Sequence, residues 1–275
     1  MNRIDSAHLS QYLTKARRVL DATEIPCKPL DAVAASWSRY QEVDRNLAPL
    51  VAEAVLSDSK DLQTFHVLAL AATNSGTVQD ATVRNAVADI VYNEAHRAYQ
   101  DVATEAWEAA AAMFNTTAAR FTTAASLIDP EAPADQVVRV DNKQRTAWMD
   151  AANAAAELDQ LTPLVLDAAS LAGIPVGPAE REIPLVCNPG DAHRRRVYEA
   201  WATTNTNTRK WGALHALGVS IEAPEDLEDV KPYRQPKPME MRMVHEGYGV
   251  RQFEVDPEDH DYQPQHTARR RAVVN

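Results

Sequence analysis

Cysteine is almost missing from this chain. Cys27 and Cys187 are the only two, and neither belongs to a Cys-x-x-Cys, so a zinc ribbon or a redox dithiol has no support and two reduced thiols remain. Glycine is scarce and uneven: of eight, only Gly76 precedes Gly173, while ten of the sixteen prolines lie beyond that point. From Thr77 to Ile128 there is neither glycine nor proline. No apolar run reaches membrane-spanning length; the best stretch, Leu161 to Ile174, is interrupted by Pro163 and Asp167. Asp5, with no apolar core after Arg3, argues against a secretory signal. These absences fit a soluble, cytoplasmic protein, or a virion protein if a phage encodes it.

Motifs are also lacking. The sequence has no phosphate loop, no Gly-x-Gly-x-x-Gly, no Gly-x-Ser-x-Gly and no His-Glu-x-x-His. Glu-x-x-His is absent too, which argues against a di-iron carboxylate bundle. Ser57-Asp58-Ser59-Lys60 matches Ser-x-x-Lys, but without its companion elements a helix cap explains it better. Glu258, Asp259, His260, Asp261 and His266 could ligate a metal, yet nothing nearby would preorganise them, and they read as a hydrophilic tail. No catalytic, cofactor or metal residue is assigned, and the expectation is a protein that is not an enzyme.

What is present is helical. A first helix is expected from Asp5 to Asp21, with Leu9, Leu13, Ala16 and Leu20 on one stripe. A second runs from an Asp31 cap through Trp37 and Leu47, and a third follows Ser59 to Ala72. Thr77 to Ile128 then reads as one very long helix, a rod of roughly 78 Å at the usual rise per residue. Its stripe Val87, Val91, Ala95, Ala98, Val102, Ala106, Ala109, Met113 lets a partner helix approach closely. A return helix around Trp148 to Leu158 ends before Thr162, Pro163 starts a short helix, and Gly173 caps it. The fold class is mainly α: an elongated antiparallel helical hairpin or bundle, with a small α+β C-terminal region and an extended arm.

Composition divides the chain into 1–173, a helical bundle with the long hairpin, 174–221, a proline-rich connector with a short helix pair, and 222–275, an arm with a β-hairpin. Met239 to Val244 and Val250 to Val255, joined around Gly247-Tyr248-Gly249, form that hairpin. Met239, Met241, Met243, Phe253 and Val255 alternate like a half-buried sheet face, so they are the candidate subunit contact. Because the front of the chain offers no strands, the arm is expected to take its order from a neighbouring chain.

The remaining signal is basic. Arg194, Arg195 and Arg196 on one short helix and Arg209 and Lys210 opening the next make a cationic pair in a chain of net charge −11. One reading is contact with phosphate or an acidic partner. The other is that the arginines cover apolar surface and pair with Glu180, Glu182 and Glu199, or with the acidic stretch Glu222 to Asp229. Acidity over the whole surface disfavours non-specific nucleic-acid binding. The leading function is therefore a non-enzymatic structural or assembly protein, partnered by itself or by other subunits. Arginine and alanine abundance suits a GC-rich bacterium or its bacteriophage, so a phage particle component fits. A nucleic-acid-binding or regulatory adaptor using residues 194–210 is the alternative, and an unrecognised helical enzyme comes third.

Overall fold

An alanine-rich chain with so few glycines should fold into helices, and the computed structural model is mainly helical. It describes residues 5–42, 63–64, 77–228, 230–246 and 249–259. The helices are α1 Ser6–Thr23, α2 Lys28–Gln41, α3 Thr77–Gln100, α4 Ala103–Ala125, α5 Ala134–Val137, α6 Asn142–Leu171, α7 Ala179–Val186, α8 Arg194–Trp201 and α9 Arg209–Ala216. Strands β1 Glu240–Glu246 and β2 Gly249–Val255 pair antiparallel. The third expected helix and the Ser-x-x-Lys motif fall outside the described residues, apart from two helical residues at 63–64. Among the described residues, no helix is long and apolar enough to cross a membrane.

Contacts divide the chain into two units. Unit 1 is Met1–Met113 with Leu161–Pro175; unit 2 is Phe114–Gln160 with Val176–Asn275. Two of the three crossings fall inside helices, α4 and α6, and the third follows Pro175. In unit 1, Asp5 caps α1 by accepting from the His8 N–H at 2.8 Å. The expected stripe buries Leu9, Ala16 and Leu20. Leu9, Trp37 and Ala88 form a core, with Leu13, Tyr40, Val87, Val91 and Tyr92 packed on it. Helix α2 begins at Lys28, earlier than the Asp31 cap expected, because Pro29 is tolerated in a first turn, where its missing N–H needs no partner. Asp167 on α6, nearly buried, is held by Lys15 at 3.3 Å and by Arg18.

Two expectations about the long helices need correction. Thr77 to Ile128 is not one helix: Asp101 and Val102 separate α3 from α4, and Ser126 to Ile128 lie beyond α4. The break is shorter than a turn. The Val102 N–H bonds the Tyr99 carbonyl three residues back, and the Gln100 side chain donates to the Leu171 carbonyl at 2.9 Å. Residues 101–102 therefore yield to a tertiary contact that no local propensity reports. Conversely, Pro163 starts no new helix; α6 carries through it, leaving the Asp159 carbonyl without the N–H that proline cannot supply. Gly173 does take the left-handed cap, at φ +94. Of the close-packing alanines, Ala98 and Ala106 are buried and Ala109 is half-buried.

In unit 2 the segments 117–127 and 144–157 run in opposite directions. Thr117 Oγ1 donates to Glu157 at 3.0 Å, Arg120 pairs with the same carboxylate, and Gln144 reaches the Leu127 carbonyl at 3.4 Å. Helix α9 starts where Glu131 accepts from the Asn207 and Thr208 N–H groups at 3.0 and 2.9 Å. Gly212, one turn on, leaves room for that cap: a Cβ there would lie 2.8 Å from Glu131 Oε1. Trp211 is fully buried, its indole N–H donating to Asp159 at 2.9 Å.

The arm expected to leave its own chain is held by it over its described part. Asn115 exchanges two hydrogen bonds with the Ala223 backbone, at 2.6 and 3.0 Å. The Tyr233 N–H donates to the Glu180 carbonyl at 2.6 Å, and the Tyr198 hydroxyl donates to the Tyr233 carbonyl at 2.6 Å. Side-chain amides, hydroxyls and ion pairs of unit 2 supply contacts at residues 223, 233 and 256–259, all of them outside the two strands.

Candidate functional site

The five basic residues singled out by the sequence fall into two ion-pair sets. Arg194, Arg195 and Arg196 occupy the first turn of α8, the end of a helix where cations are disfavoured by its dipole. Carboxylates from the end of the ribbon offset this. Arg194 meets Glu258 at 2.9 Å, Arg195 meets Asp256 at 2.5 Å, and Arg196 meets Asp259 at 3.4 Å. His193 lies 3.7 Å from Asp256 and 3.8 Å from Asp259. Asp256 has no exposure at all, and Arg195 only 14%. These carboxylates lie some sixty residues along the chain from the arginines, among residues that composition alone assigns to a tail.

The second set is on α9. Arg209 meets Asp159 of α6 at 2.5 Å, and Lys210 lies 3.9 Å from the same carboxylate. The Lys210 ammonium sits 4.0 Å from the Trp201 ring centroid and 4.7 Å from that of Trp211, a cation–π arrangement at a mostly buried amine. Burial lowers its pKa, opposed by the Asp159 and Glu182 charges. Burial also raises the Glu182 carboxyl, against the pull of Lys210, and pushes the nearby Cys187 thiol up to about 12. The Cys187 thiol is buried and donates to the Ile183 carbonyl at 3.2 Å. Glu180, expected to face the arginines, accepts instead from Gln235.

The candidate subunit contact divides as well. In the observed register Met241 lies opposite Glu254, Met243 opposite Gln252, Phe253 opposite Arg242, and Val255 opposite Glu240. Directly paired residues share a face, so Met241 and Met243 occupy one face while Val255 belongs to the other. With Glu246 opposite Gly249, odd positions of β1 lie opposite even positions of β2, so Met241 and Met243 cannot share a face with Val255. Met241 and Met243 are 53% and 68% exposed, Met239 is half-buried and Val255 is buried.

Among the described residues no group of three or more His, Cys, Asp or Glu side chains is placed to hold a metal. Glu258 and Asp259, considered as ligands above, are committed to guanidinium groups; His260, Asp261 and His266 lie outside the described residues. In unit 1 a cleft of about 330 Å³ lies between α1 and α2, lined by Cys27, Leu30 and Trp37 together with Arg17, Asp21 and Asp31, with Arg17 and Asp31 3.7 Å apart.

The ribbon clasp should respond to acid. Burial by itself raises both carboxyls, but it is outweighed at Asp256 by the Arg195 hydrogen bond, the Glu258 N–H and the Arg195 and His193 charges. At Glu258 it is outweighed by the Lys237 N–H, Arg194 and Arg234. Both folded pKa values are thus depressed. The stabilisation is present above the unfolded carboxyl range and is lost as pH falls through the folded values, below about 4. Protection of residues 255–259 against amide exchange should be high at pH 5 and fall toward pH 3 more than that of α6; parallel behaviour of the two segments would remove these carboxylates as the cause.

No family model, curated protein or solved structure matches this chain.

Proposed function

We propose that this chain is a non-enzymatic structural or assembly protein, acting as a homo-oligomer or as a subunit of a larger complex such as a bacteriophage particle. The observation that carries the reading is the exposed pair Met241 and Met243, side by side on one face of a two-stranded ribbon. Two strands alone are marginal in water, and among the described residues no third strand joins these. Methionine adapts its shape to a partner, and ribbon edges carry backbone groups ready to pair. The opposing α4 and α6 segments in unit 2 belong to the same reading, as part of a helical hairpin scaffold that presents the ribbon.

The test is mass in solution. Light scattering of the purified chain should give a multiple of the 30.3 kDa monomer, and Met241→Glu with Met243→Glu should reduce it to the monomer with unchanged helical circular dichroism. Buried apolar contacts of this size contribute roughly 1.5–3 kcal/mol per side chain, enough to shift the equilibrium by tens-fold or more. A parent chain that is already monomeric, or a double variant that assembles as before, would sink the proposal in its homo-oligomeric form.

The adaptor alternative loses ground because Arg194, Arg195, Arg196 and Arg209 already meet carboxylates of their own chain. Any phosphate would have to displace them.

A further inference from the structure

Glu258 occupies a cradle built by two other stretches of the chain. Its Oε1 lies 2.9 Å from Arg194 Nη1 and 3.6 Å from Arg234 Nη2, while Oε2 faces the Lys237 N–H at 3.4 Å. Two guanidinium groups and a backbone N–H thus converge on one carboxylate. What holds these donors involves contacts outside the 255–259 segment. Arg194 is on α8, anchored by the buried Val197 and Ala200. Arg234 follows Tyr233, whose N–H bonds the Glu180 carbonyl and whose carbonyl accepts from the Tyr198 hydroxyl. Tyr198 is itself on α8, and its ring stacks on that of Tyr233 at 5.7 Å. The Tyr198–Tyr233 contact therefore ties the stretch bearing Arg234 to the helix bearing Arg194. The donors are preorganised by the body of unit 2, and the acceptor is delivered by a short turn.

That turn has an anchor of its own. Asp256 is buried against Arg195, and its other oxygen accepts from the Glu258 N–H at 2.9 Å. Glu258 thus sits two residues beyond a fixed point, in a turn whose far end, Asp259, bridges back to Asp256 and meets Arg196 at 3.4 Å. Guanidinium groups recognise carboxylate and phosphate oxygens by the same charge-assisted bonds. We propose that Arg194, Arg234 and the Lys237 N–H form a phosphate-binding site that Glu258 closes in cis, with Asp256 as the pivot on which the 257–259 turn opens once Asp259 leaves Arg196. Arg194 and Arg234 side chains are 30% and 63% exposed, so an incoming oxyanion can reach the guanidiniums before the carboxylate leaves. The site is independent of the methionine face and of the assembly reading.

The experiment removes the resident charge. Glu258→Gln keeps the shape of the turn and leaves the two guanidiniums without their anion. Isothermal titration with inorganic phosphate, and fluorescence anisotropy with a short DNA duplex, are run at equal ionic strength on the parent chain and the variant. The variant should bind at least one probe about tenfold more tightly than the parent, the size of one charge-assisted contact. Arg194→Ala placed in the Glu258→Gln background should erase the gain. Gain with both probes identifies free phosphate as a sufficient ligand; gain with the duplex alone identifies a phosphodiester backbone. An unchanged affinity for both, in a variant with parental circular dichroism, overturns the proposal. Should Glu258→Gln fail to fold, the parent chain decides: phosphate, against chloride at matched ionic strength, should speed amide exchange at Glu258 and Asp259, and equal rates overturn it.

Discussion

Replacing Trp211 with alanine should cost about 3–5 kcal/mol of stability, the largest effect expected of any single side chain in unit 2. The indole is fully buried. It meets Phe114 edge-on at 5.8 Å between ring centroids and Trp201 at 6.4 Å, while its N–H donates to Asp159 and the Lys210 ammonium lies over its face. Truncation therefore does three things together. It opens a cavity, it deprives a half-buried carboxylate of a donor, and it removes one of the two aromatic walls beside Lys210. The same change at Trp201, which is half-buried, should cost clearly less. Urea denaturation followed by circular dichroism measures both. A Trp211→Ala midpoint within about 1 kcal/mol of the parent would mean that α9 is not part of the core that the packing implies.

How far the sequence could be read depended on how local each determinant is. The α1 stripe and the Gly173 cap are local, and the structure has both where periodicity and a lone glycine put them. The interruption at Asp101–Val102 is not local: Tyr99-Gln100-Asp101-Val102 contains no breaker, and the break accompanies a Gln100 contact with Leu171 on a helix seventy residues away. Pro163 misled in the opposite sense. A threonine followed by proline satisfies the rule for a helix start, yet the rule cannot tell a first turn from an interior position that packing holds together.

The basic helix pair shows the same limit in electrostatic form. Its charge was plain in the sequence, whereas its partners Asp159, Asp256, Glu258 and Asp259 are brought in by topology. The faintest available signal was compositional: an acidic run after β2 in a chain whose basic run stands alone. The ribbon differs again: joining the strands around Gly247-Tyr248-Gly249 keeps odd positions together, whereas the register sets Glu246 opposite Gly249, and that one-residue difference separates Met241 and Met243 from Val255.

Replacing Arg195 with methionine tests the anchor of the clasp, and the expected result is a local one. The Asp256 carboxylate would be left fully buried with the Glu258 N–H as its hydrogen bond and His193 at 3.7 Å. Stranding a buried charge in this way costs about 3–5 kcal/mol when the surroundings cannot relax. Here they can. Residues 255–259 end the described ribbon, and peeling them from α8 returns the carboxylate to water while the buried Val197 and Ala200 keep α8 in place. The chain should take whichever route costs less. Arg195→Met is therefore expected to raise amide exchange across 255–259 by a hundredfold or more, about 3 kcal/mol, while moving the global denaturation midpoint much less. Adding Asp256→Asn should recover part of the lost protection, since an amide can stay buried where an unpaired carboxylate cannot, and that recovery separates charge stranding from lost packing. Equal exchange in the single and double variants would assign the loss to the arginine stem, and undiminished protection in Arg195→Met would place the anchor elsewhere than at this ion pair.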